Sequence, residues 1–451
     1  MTRRIFPILA LAVLLTASCS GRRDSAQAEP SAGETAYEEA AAEIQQPEYD
    51  SYFTGERLRL DFTLAGNDKD QSAYLDEIHR ESEWAGPRGS LIEPFDYGQY
   101  NISVSADGKI IFSKGFSTLF EEWRTTPEAS QVSRAASQCI WMPFPKQKVH
   151  IILSQRIRAT GRMEPMLEFD VDPEDRHIIP GPENRYRIVP LQIYGDACDK
   201  VDIVIAAEAY TSSQMAKFRR DAQKLTDYFF SMEPYASRRE DFNVWMVESP
   251  SQDGGADIPQ EGLWRSTVMD SGFDTFYEDR YLTVWNHKKI AAAVSGAVFD
   301  AIIVLANETK YGGSGIYNSF AMATSDHKMS GPVFIHEFGH SFAGLADEYY
   351  DSSTAYENYY PEGVEPWEPN ITTMVDFGSK WADMIADGTP VPTPADSSHT
   401  GIVGAYEGAG YMAKGCWRPY VECRMLNNTA PGFCPVCQRS INRMIDYYIG
   451  K

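Results

Sequence analysis

Residues 336–349 carry more information than any other segment of this chain and read His336-Glu-Phe-Gly-His340-Ser-Phe-Ala-Gly344-Leu-Ala-Asp347-Glu-Tyr349. On a helix, a spacing of four residues places His336 and His340 on the same face, one turn apart. Two imidazole nitrogens arranged in this way can bind one Zn²⁺, and Glu337 then projects near the open coordination position as a general base. An apolar run frames the motif. The pattern therefore predicts a zinc hydrolase rather than a chance match on an amphipathic helix.

The third metal ligand is expected just beyond the helix. If the helix continued unbroken, Asp347 would lie about 10 Å along its axis beyond His340, which is too far for one ion. Gly344 can adopt a left-handed conformation at little cost, so it can end the helix and let the chain turn back. We therefore expect Asp347 to be the third ligand, with the adjacent Glu348 as the competing candidate.

Two features favour a metzincin-like catalytic domain. Metzincins take their third ligand after a glycine turn, in the spacing HExxHxxGxxH. Here Ala343 and Ala346 occupy the expected glycine and ligand positions, and the Gly and the Asp each follow one residue later. Metzincins also carry a methionine in a tight turn below the metal. Met425, within residues 423–428, is our candidate for that methionine.

Four longer motifs resemble the bacterial IgA-peptidase family of zinc metallopeptidases. They are HEFGHSFAGLADEYY at 336–350, YGGSGIYN at 311–318, NVWMVESPSQ at 243–252 and GFCPVC at 432–437. The resemblance covers most of residues 185–451 and, more loosely, the region before them. It implies His336, His340 and Asp347 as zinc ligands and Glu337 as catalytic base. Family membership does not fix a substrate.

These observations predict an exported zinc endopeptidase with one catalytic Zn²⁺ and an extended polypeptide or glycoprotein as substrate. Zinc would bring the pKa of a bound water to about 7, and Glu337 would transfer its proton to the leaving amine. The donor that stabilises the oxyanion is left open among Tyr406, Tyr411 and His399. Two other functions also stay open. One is a catalytically inactive zinc-fold adhesin or glycan-binding surface protein, and the other is a zinc amidase or deacetylase.

Residues 1–18 predict a lipoprotein signal peptide. Two arginines precede an apolar stretch at 5–15 that is too short to span a membrane stably, and small residues then lead to Cys19. Cys19 would carry the lipid, although Thr16 stands where a lipobox usually has Leu. Ordinary secretion with an incidental Cys19 is the alternative. We expect an anchored monomer at the cell surface or in the periplasm, in contact with the membrane only through this lipid.

The net charge argues against two classes of partner. Residues 1–18 hold two arginines and no acidic residue, so their removal takes the net charge from −23 to −25. A strongly acidic chain is a poor partner for nucleic acid or for an anionic membrane surface. Solubility is the explanation of this charge that we prefer.

Six cysteines remain beyond Cys19, and four of them fall within 22 residues near the C-terminus. An even number in an exported protein favours disulfides over buried free thiols. Of the three interpretations of the four C-terminal cysteines, a second zinc site with a structural role is the least favoured. The six are Cys139, Cys198, Cys416, Cys423, Cys434 and Cys437.

The chain is predicted to be α+β, with a flexible tether at 19–48, a β-sandwich-like domain at 49–176 and a catalytic domain at 185–451. Period-two alternation predicts the antiparallel sandwich, which we interpret as a spacer or folding partner rather than a substrate-binding module. In the catalytic domain, apolar strands alternate with helices and predict a twisted, largely parallel sheet. A glycine-rich segment at 312–318 runs into residues 320–324 before the motif helix. In a metzincin the strand before this helix is an antiparallel edge, and the glycines would let a ligand backbone approach closely; a simple flexible loop is the alternative.

Overall fold

The computed structural model describes residues 44–181, 185–350 and 359–451. The predicted signal peptide, the anchor Cys19 and residues 19–43 of the predicted tether lie outside these described residues. Within the described parts of the chain, no helix is both long and apolar enough to cross a membrane.

Two four-stranded sheets form the N-terminal region, with strand orders β5-β1-β2-β8 and β4-β3-β6-β7. All pairings are antiparallel except the short parallel contact between β2 and β8. The prediction of a β-rich N-terminal region is confirmed. The elements are α1 (Tyr49–Tyr52), β1 (Phe53–Gly66), β2 (Gln71–Glu83), β3 (Tyr100–Ala106), β4 (Lys109–Phe116), α2 (Leu119–Trp123), β5 (Arg134–Pro145), β6 (Val149–Ile157), β7 (Arg162–Val171) and β8 (Ile179–Pro180).

Alternating side chains hold the two N-terminal sheets together. In β3 every second residue is buried, beginning with Tyr100, as expected for a strand with one face in a core. The inner faces meet where the rings of Phe62 on β1 and Phe169 on β7 lie 6.1 Å apart between centroids. β8 still belongs to this pair of sheets, so the N-terminal sheets extend past the boundary at 176 that the sequence suggested.

A six-stranded sheet organises the second region, with strand order β13-β14-β12-β10-β11-β9. The four central strands are parallel, and β9 and β13 are antiparallel edges. β10 is buried along its whole length, as is typical of a parallel strand covered on both faces. The strands are β9 (Arg187–Gln192), β10 (Val201–Glu208), β11 (Phe242–Glu248), β12 (Ala301–Ala306), β13 (Gly313–Ile316), β14 (Phe320–Thr324) and the separate hairpin β15 (Tyr406–Ala409) and β16 (Met412–Arg418).

The two faces of the six-stranded sheet are covered differently. One face packs on three helices, and the other packs on a short helix and on the N-terminal sheets, with which it shares one continuous apolar core. The N-terminal region is therefore a structural part of the fold and not a detached spacer. The helices of the first face are α3 (Met215–Phe229), α5 (Ser330–Ala343) and α6 (Pro435–Ile449), and the short helix is α4 (His287–Val294).

Buried polar contacts cross between the two regions. His287 on α4 accepts a hydrogen bond from the backbone N–H of Cys139 on β5 at 3.1 Å, and its other ring nitrogen contacts the hydroxyl of Ser319 at 3.0 Å. Arg57 on β1 donates to the carbonyl of Ser295 at 3.0 Å. Polar groups buried in this way are costly to leave without partners, so these contacts fix how the regions dock.

His287 makes the interface sensitive to pH. Burial is the largest effect on its imidazole and, against the opposing charge of Asp61, lowers its pKa from 6.5 to about 4. An unfolded chain binds this proton near pH ~6.5, so between about pH 6.5 and 4 the unfolded state holds more protons than the folded state. The contribution of a neutral His287 is therefore complete above about pH 6.5 and is lost as the pH falls toward 4.

Between about pH 6.5 and 4, the unfolding free energy of the wild type should fall by about 3 kcal/mol more than that of the His287→Gln variant. Urea unfolding followed by tryptophan fluorescence at several pH values measures the difference. His150→Gln, which changes a partly exposed histidine on β6, is the control and should behave as the wild type. Equal acid dependence of the wild type and His287→Gln would contradict this role.

Candidate metal centre

Helix α5 carries both motif histidines and ends at the predicted glycine. Gly344 follows the last helical residue with φ 63° and ψ 26°, a left-handed conformation, and its N–H bonds to the carbonyl of His340. The N–H of Leu345 then bonds back to the carbonyl of Gly339 at 3.2 Å. The chain thereby reverses direction directly after the helix. The helix is anchored by buried apolar side chains, which are Val333, Phe334, Ile335, Phe338 and Phe342.

The reversal brings three candidate ligand atoms together. Nε2 of His336 lies 3.0 Å from Nε2 of His340 and 2.9 Å from Oδ1 of Asp347. The third distance, from Nε2 of His340 to Oδ1 of Asp347, is 3.3 Å. Ligands at the corners of a tetrahedron around Zn²⁺, each about 2.0–2.1 Å from the metal, lie about 3.3 Å from one another. The three atoms are therefore spaced as one ion requires.

The hydrogen bonds on the far side of each ring show which nitrogen faces the cluster with its lone pair. Nδ1 of His336 lies 2.9 Å from the carbonyl of Arg424, and Nδ1 of His340 contacts the carbonyl of Leu345 at 2.5 Å. A carbonyl only accepts, so each Nδ1 donates, and a ring in its neutral form then directs the Nε2 lone pair at the cluster. Two lone pairs and a carboxylate oxygen repel one another unless a cation lies between them. The donor set therefore fits Zn²⁺.

The electrostatics of the cluster also favour added positive charge. Burial lowers the pKa of His340, but the neighbouring Asp347 carboxylate outweighs burial and raises it to about 9. Burial acts on Asp347 in the opposite direction, and its contacts with both imidazoles hold its pKa well below the usual range. The burial of Glu337, which lines the same cavity, raises the pKa of its carboxyl group.

The β15–β16 hairpin holds Asp347 in place. The hydroxyl of Tyr411, at the tip of the hairpin, donates to Oδ2 of Asp347. The N–H of Gly410 bonds to the carbonyl of Asp347 at 3.0 Å, and the N–H of Tyr411 bonds to the carbonyl of Tyr349 at 2.9 Å. One carboxylate oxygen is thus occupied by a phenol, and the other is directed at the two imidazoles.

Of the three residues proposed as oxyanion donors, only Tyr411 lines the cavity. The hydroxyl of Tyr406 donates to the carbonyls of His399 and Ile402, at 2.6 and 3.1 Å. The ring of His399 contacts Asp396. Tyr406 and His399 therefore stabilise a loop away from the cluster.

The segment that carries Asp347 and Glu348 bonds to the turn that carries Met425. The N–H of Glu348 bonds to the carbonyl of Met425 at 2.9 Å, while its side chain accepts from Asn370 and lies away from the histidines. Met425 is fully buried, and its sulfur lies 3.1 Å from the point where a Cβ on Gly339 would be. The absence of a side chain at Gly339 therefore lets the turn at 423–428 pack closely against α5.

The cluster opens into a cavity of about 760 Å³ that both regions of the chain line. The N-terminal region contributes Glu122 and Arg158, and the loop before α4 contributes Arg280 and Tyr281. Tyr281 donates a hydrogen bond to Glu122, and burial raises the pKa of this glutamate to about 7. Sequence analysis missed these residues because no local motif marks them and only the docking of the two regions brings them to the histidines.

The edge strand β13 forms one side of the cavity, but its glycines have a different role from the one expected. A Cβ on Gly315 would lie 2.1 Å from the carbonyl oxygen of Glu337, and a Cβ on Gly313 would lie 2.7 Å from Val333. Both positions therefore face helix α5. The expectation that these glycines make room for a ligand backbone is wrong, because the space that they leave is filled by helix α5.

Comparison with protein families agrees with the motifs. The family model described as IgA Peptidase M64 matches residues 189–400 and 395–445, and the one described as Peptidase M64 N-terminus matches residues 48–165. These matches span well over half of the chain and confirm the resemblance noted from the sequence. A comparison with curated proteins gives no match.

The close contact between β13 and α5 predicts that Gly315→Ala destabilises the protein by about 3 kcal/mol, because the new methyl group overlaps the helix backbone. Gly55→Ala is the matched control, since Gly55 also lies in a strand but has no atom within 4 Å of the added carbon. Denaturant unfolding of both variants measures the effect. Wild-type stability of Gly315→Ala would show that the helix is not held against this strand.

Proposed function

Because the chain belongs to the IgA Peptidase M64 family, we propose that it is a zinc-dependent endopeptidase. In this proposal His336, His340 and Asp347 hold the metal, and Glu337 is the general base. The observation that carries the proposal is the convergence of two Nε2 lone pairs and one carboxylate oxygen beside a large cavity. The family is one of peptidases, and its name does not determine which protein this chain cleaves.

We place the catalytic region with the metzincins. Three local features support this placement: the active-site helix ends at Gly344, an aspartate follows the turn, and the buried Met425 lies under the helix. The chain departs from the usual metzincin pattern by one residue and by an aspartate in place of a third histidine. A carboxylate in place of a neutral imidazole makes the metal a weaker Lewis acid.

Zinc at this centre would supply Lewis acidity and lower the pKa of a water in its open coordination position. Glu337 accepts the proton of the attacking water and returns it to the leaving amine. Burial raises the pKa of Glu337 and so brings it closer to the pKa values of the attacking water and of the leaving amine. This smaller difference suits both proton transfers. Tyr411 positions Asp347 through its hydrogen bond rather than acting on the substrate.

The substrate is proposed to be an extended polypeptide, free or glycosylated. β13 is the edge of the six-stranded sheet and lines the cavity beside Glu337. Tyr281 bridges this edge at Gly313, so a substrate strand can align along the rest of β13 through main-chain hydrogen bonds. Glu122 and Arg158 from the N-terminal region also line this cavity. We infer that they contact the substrate.

Export and lipid anchoring through Cys19 are part of the proposal and depend on the sequence of residues 1–19 alone. Fractionation of cells that express the wild type or Cys19→Ala tests the anchor. The wild type should be found with membranes and the variant in the soluble exported fraction. Membrane association of both proteins would reject Cys19 as the anchoring residue.

Removal of the base should separate metal binding from catalysis. We expect Glu337→Ala to keep the zinc content of the wild type but to lose at least about 10²-fold in cleavage rate, because general-base catalysis is lost. Metal analysis and digestion of a mixed set of mucosal glycoproteins, followed by mass spectrometry, measure both quantities. Glu164→Ala, at an exposed position on β7, is the control. Equal cleavage by wild type and Glu337→Ala would remove Glu337 from the mechanism.

Two tyrosines provide a matched test of how the third ligand is held. Tyr411→Phe removes the hydrogen bond to Asp347 and should weaken zinc affinity about 10-fold, while Asp347→Ala should lose one zinc equivalent. Tyr406→Phe removes a hydroxyl that bonds only to carbonyls away from the cluster and should bind zinc as the wild type does. Titration against a competing chelator measures these affinities. Unchanged zinc content in Asp347→Ala would reject this aspartate as a ligand.

A further inference from the structure

A second group of possible metal ligands lies directly behind the first. It consists of Glu348, Cys423, Cys434 and Cys437, and one ligand atom from each lies within 4.8 Å of the other three. All four side chains are buried. Glu348 is the neighbour of Asp347, so two adjacent residues of the chain belong to two different clusters.

The spacing of the atoms matches a metal site and not a disulfide. The sulfurs of Cys423 and Cys437 are 3.7 Å apart, and the sulfur of Cys437 lies 3.2 Å from Oε1 of Glu348. A disulfide requires about 2.05 Å between sulfurs. Two thiolates bound to one tetrahedral Zn²⁺, at about 2.3 Å each, lie about 3.8 Å apart. The disulfides preferred from the cysteine count are not formed, since all six described cysteines are free.

The carboxylate of Glu348 has one oxygen that a bound cation would satisfy. Oε1 of Glu348 accepts from the amide of Asn370 at 3.0 Å, whereas Oε2 is buried and has no hydrogen-bond partner among the described residues. A buried carboxylate oxygen without a partner is costly. Thiols are weak donors and do not satisfy it, but a metal ion would satisfy the carboxylate and the three sulfurs together.

The surroundings suit thiolates. Cys434 precedes the first residue of α6, whose 15 residues direct their backbone dipoles so that negative charge is favoured at this end. The N–H of Cys434 donates to the sulfur of Cys423 at 3.3 Å. Two buried arginines, Arg418 and Arg424, act electrostatically on Glu348 and Cys423 respectively. They offset the negative charge that remains when three thiolates and a carboxylate bind one divalent ion.

We propose that Glu348, Cys423, Cys434 and Cys437 bind a second Zn²⁺, which is structural. Four protein ligands close the coordination shell, as in structural zinc sites, and leave no position for a substrate. Binding releases the three thiol protons to solvent. Cys434 and Cys437 form a C-x₂-C pair at the start of α6, a spacing that structural zinc sites use.

The proposed ion links three elements of the catalytic centre. Glu348 directly follows the ligand Asp347, and Cys423 directly precedes Arg424, whose carbonyl orients His336. The ion therefore fixes the segment of the third ligand against the turn at 423–428 and against α6. Its role is to position the catalytic ligands, and it takes no part in the chemistry.

Metal content is the first test, carried out on the purified full-length protein. We expect two zinc equivalents per chain in the wild type, and one in Cys437→Ser. Cys416→Ser is the matched control, because Cys416 is also buried and C-terminal but lies outside the cluster, and it should keep two. A single equivalent in the wild type, together with an intact mass that shows a disulfide among Cys423, Cys434 and Cys437, would overturn the proposal.

Cobalt replacement distinguishes this site from the catalytic one. Thiolate ligands give Co²⁺ an intense near-ultraviolet charge-transfer band, which imidazole and carboxylate ligands do not give. The band should persist in a His336→Ala/His340→Ala double variant, so its outcome does not depend on whether the proposed peptidase centre binds metal. If Cys437→Ser fails to fold, the wild-type spectrum decides, because cobalt bound without this band would reject the thiolate site.

Discussion

The reversal of the chain at Gly344 is the constraint on which the catalytic half of the structure depends. It lets a carboxylate eleven residues beyond His336 come within 2.9 Å of that imidazole. The result is unfavourable by itself, because lone pairs and negative charge meet in a buried place. Only a proton or a metal ion relieves this repulsion. The carbonyls of Arg424 and Leu345 accept from the two imidazoles, and the hydroxyl of Tyr411 donates to Asp347, so these hydrogen bonds hold the candidate ligand atoms in this arrangement.

Beyond the turn, two neighbouring side chains lie in different clusters. Asp347 lies against the histidines, and Glu348 lies against the cysteines. This geometry explains why two adjacent acidic residues, which the sequence alone offered as alternatives, have separate environments. The turn at 423–428 contacts both clusters, because the carbonyl of Arg424 accepts a hydrogen bond from His336 and the sulfur of Cys423 lies 3.7 Å from that of Cys437. The two clusters are therefore joined through adjacent residues at two places in the chain.

The N-terminal sheets cover the face of the six-stranded sheet that the three long helices leave uncovered. Their core is continuous with that of the second region, and Arg57 and His287 add buried polar contacts across the boundary. The same docking places Glu122 and Arg158 in the wall of the cavity. A region that the sequence suggested to be a spacer or folding partner thus shapes the space available to a substrate. Stability of the interface and shape of the cavity are consequences of the same packing.

Local sequence patterns were sufficient to predict several features of this protein. The alternation of the N-terminal strands, the apolar parallel strands, helix α5 and its end at Gly344 follow from residue spacing and backbone preferences, which act within a few residues. The grouping of His336, His340 and Asp347 was predictable for the same reason. Tertiary structure alone decided the direction of Glu348, the role of Gly313 and Gly315, and the assembly of three cysteines around a carboxylate. These depend on contacts between segments up to 89 residues apart, such as that of Glu348 with Cys437, and no local spacing encodes them.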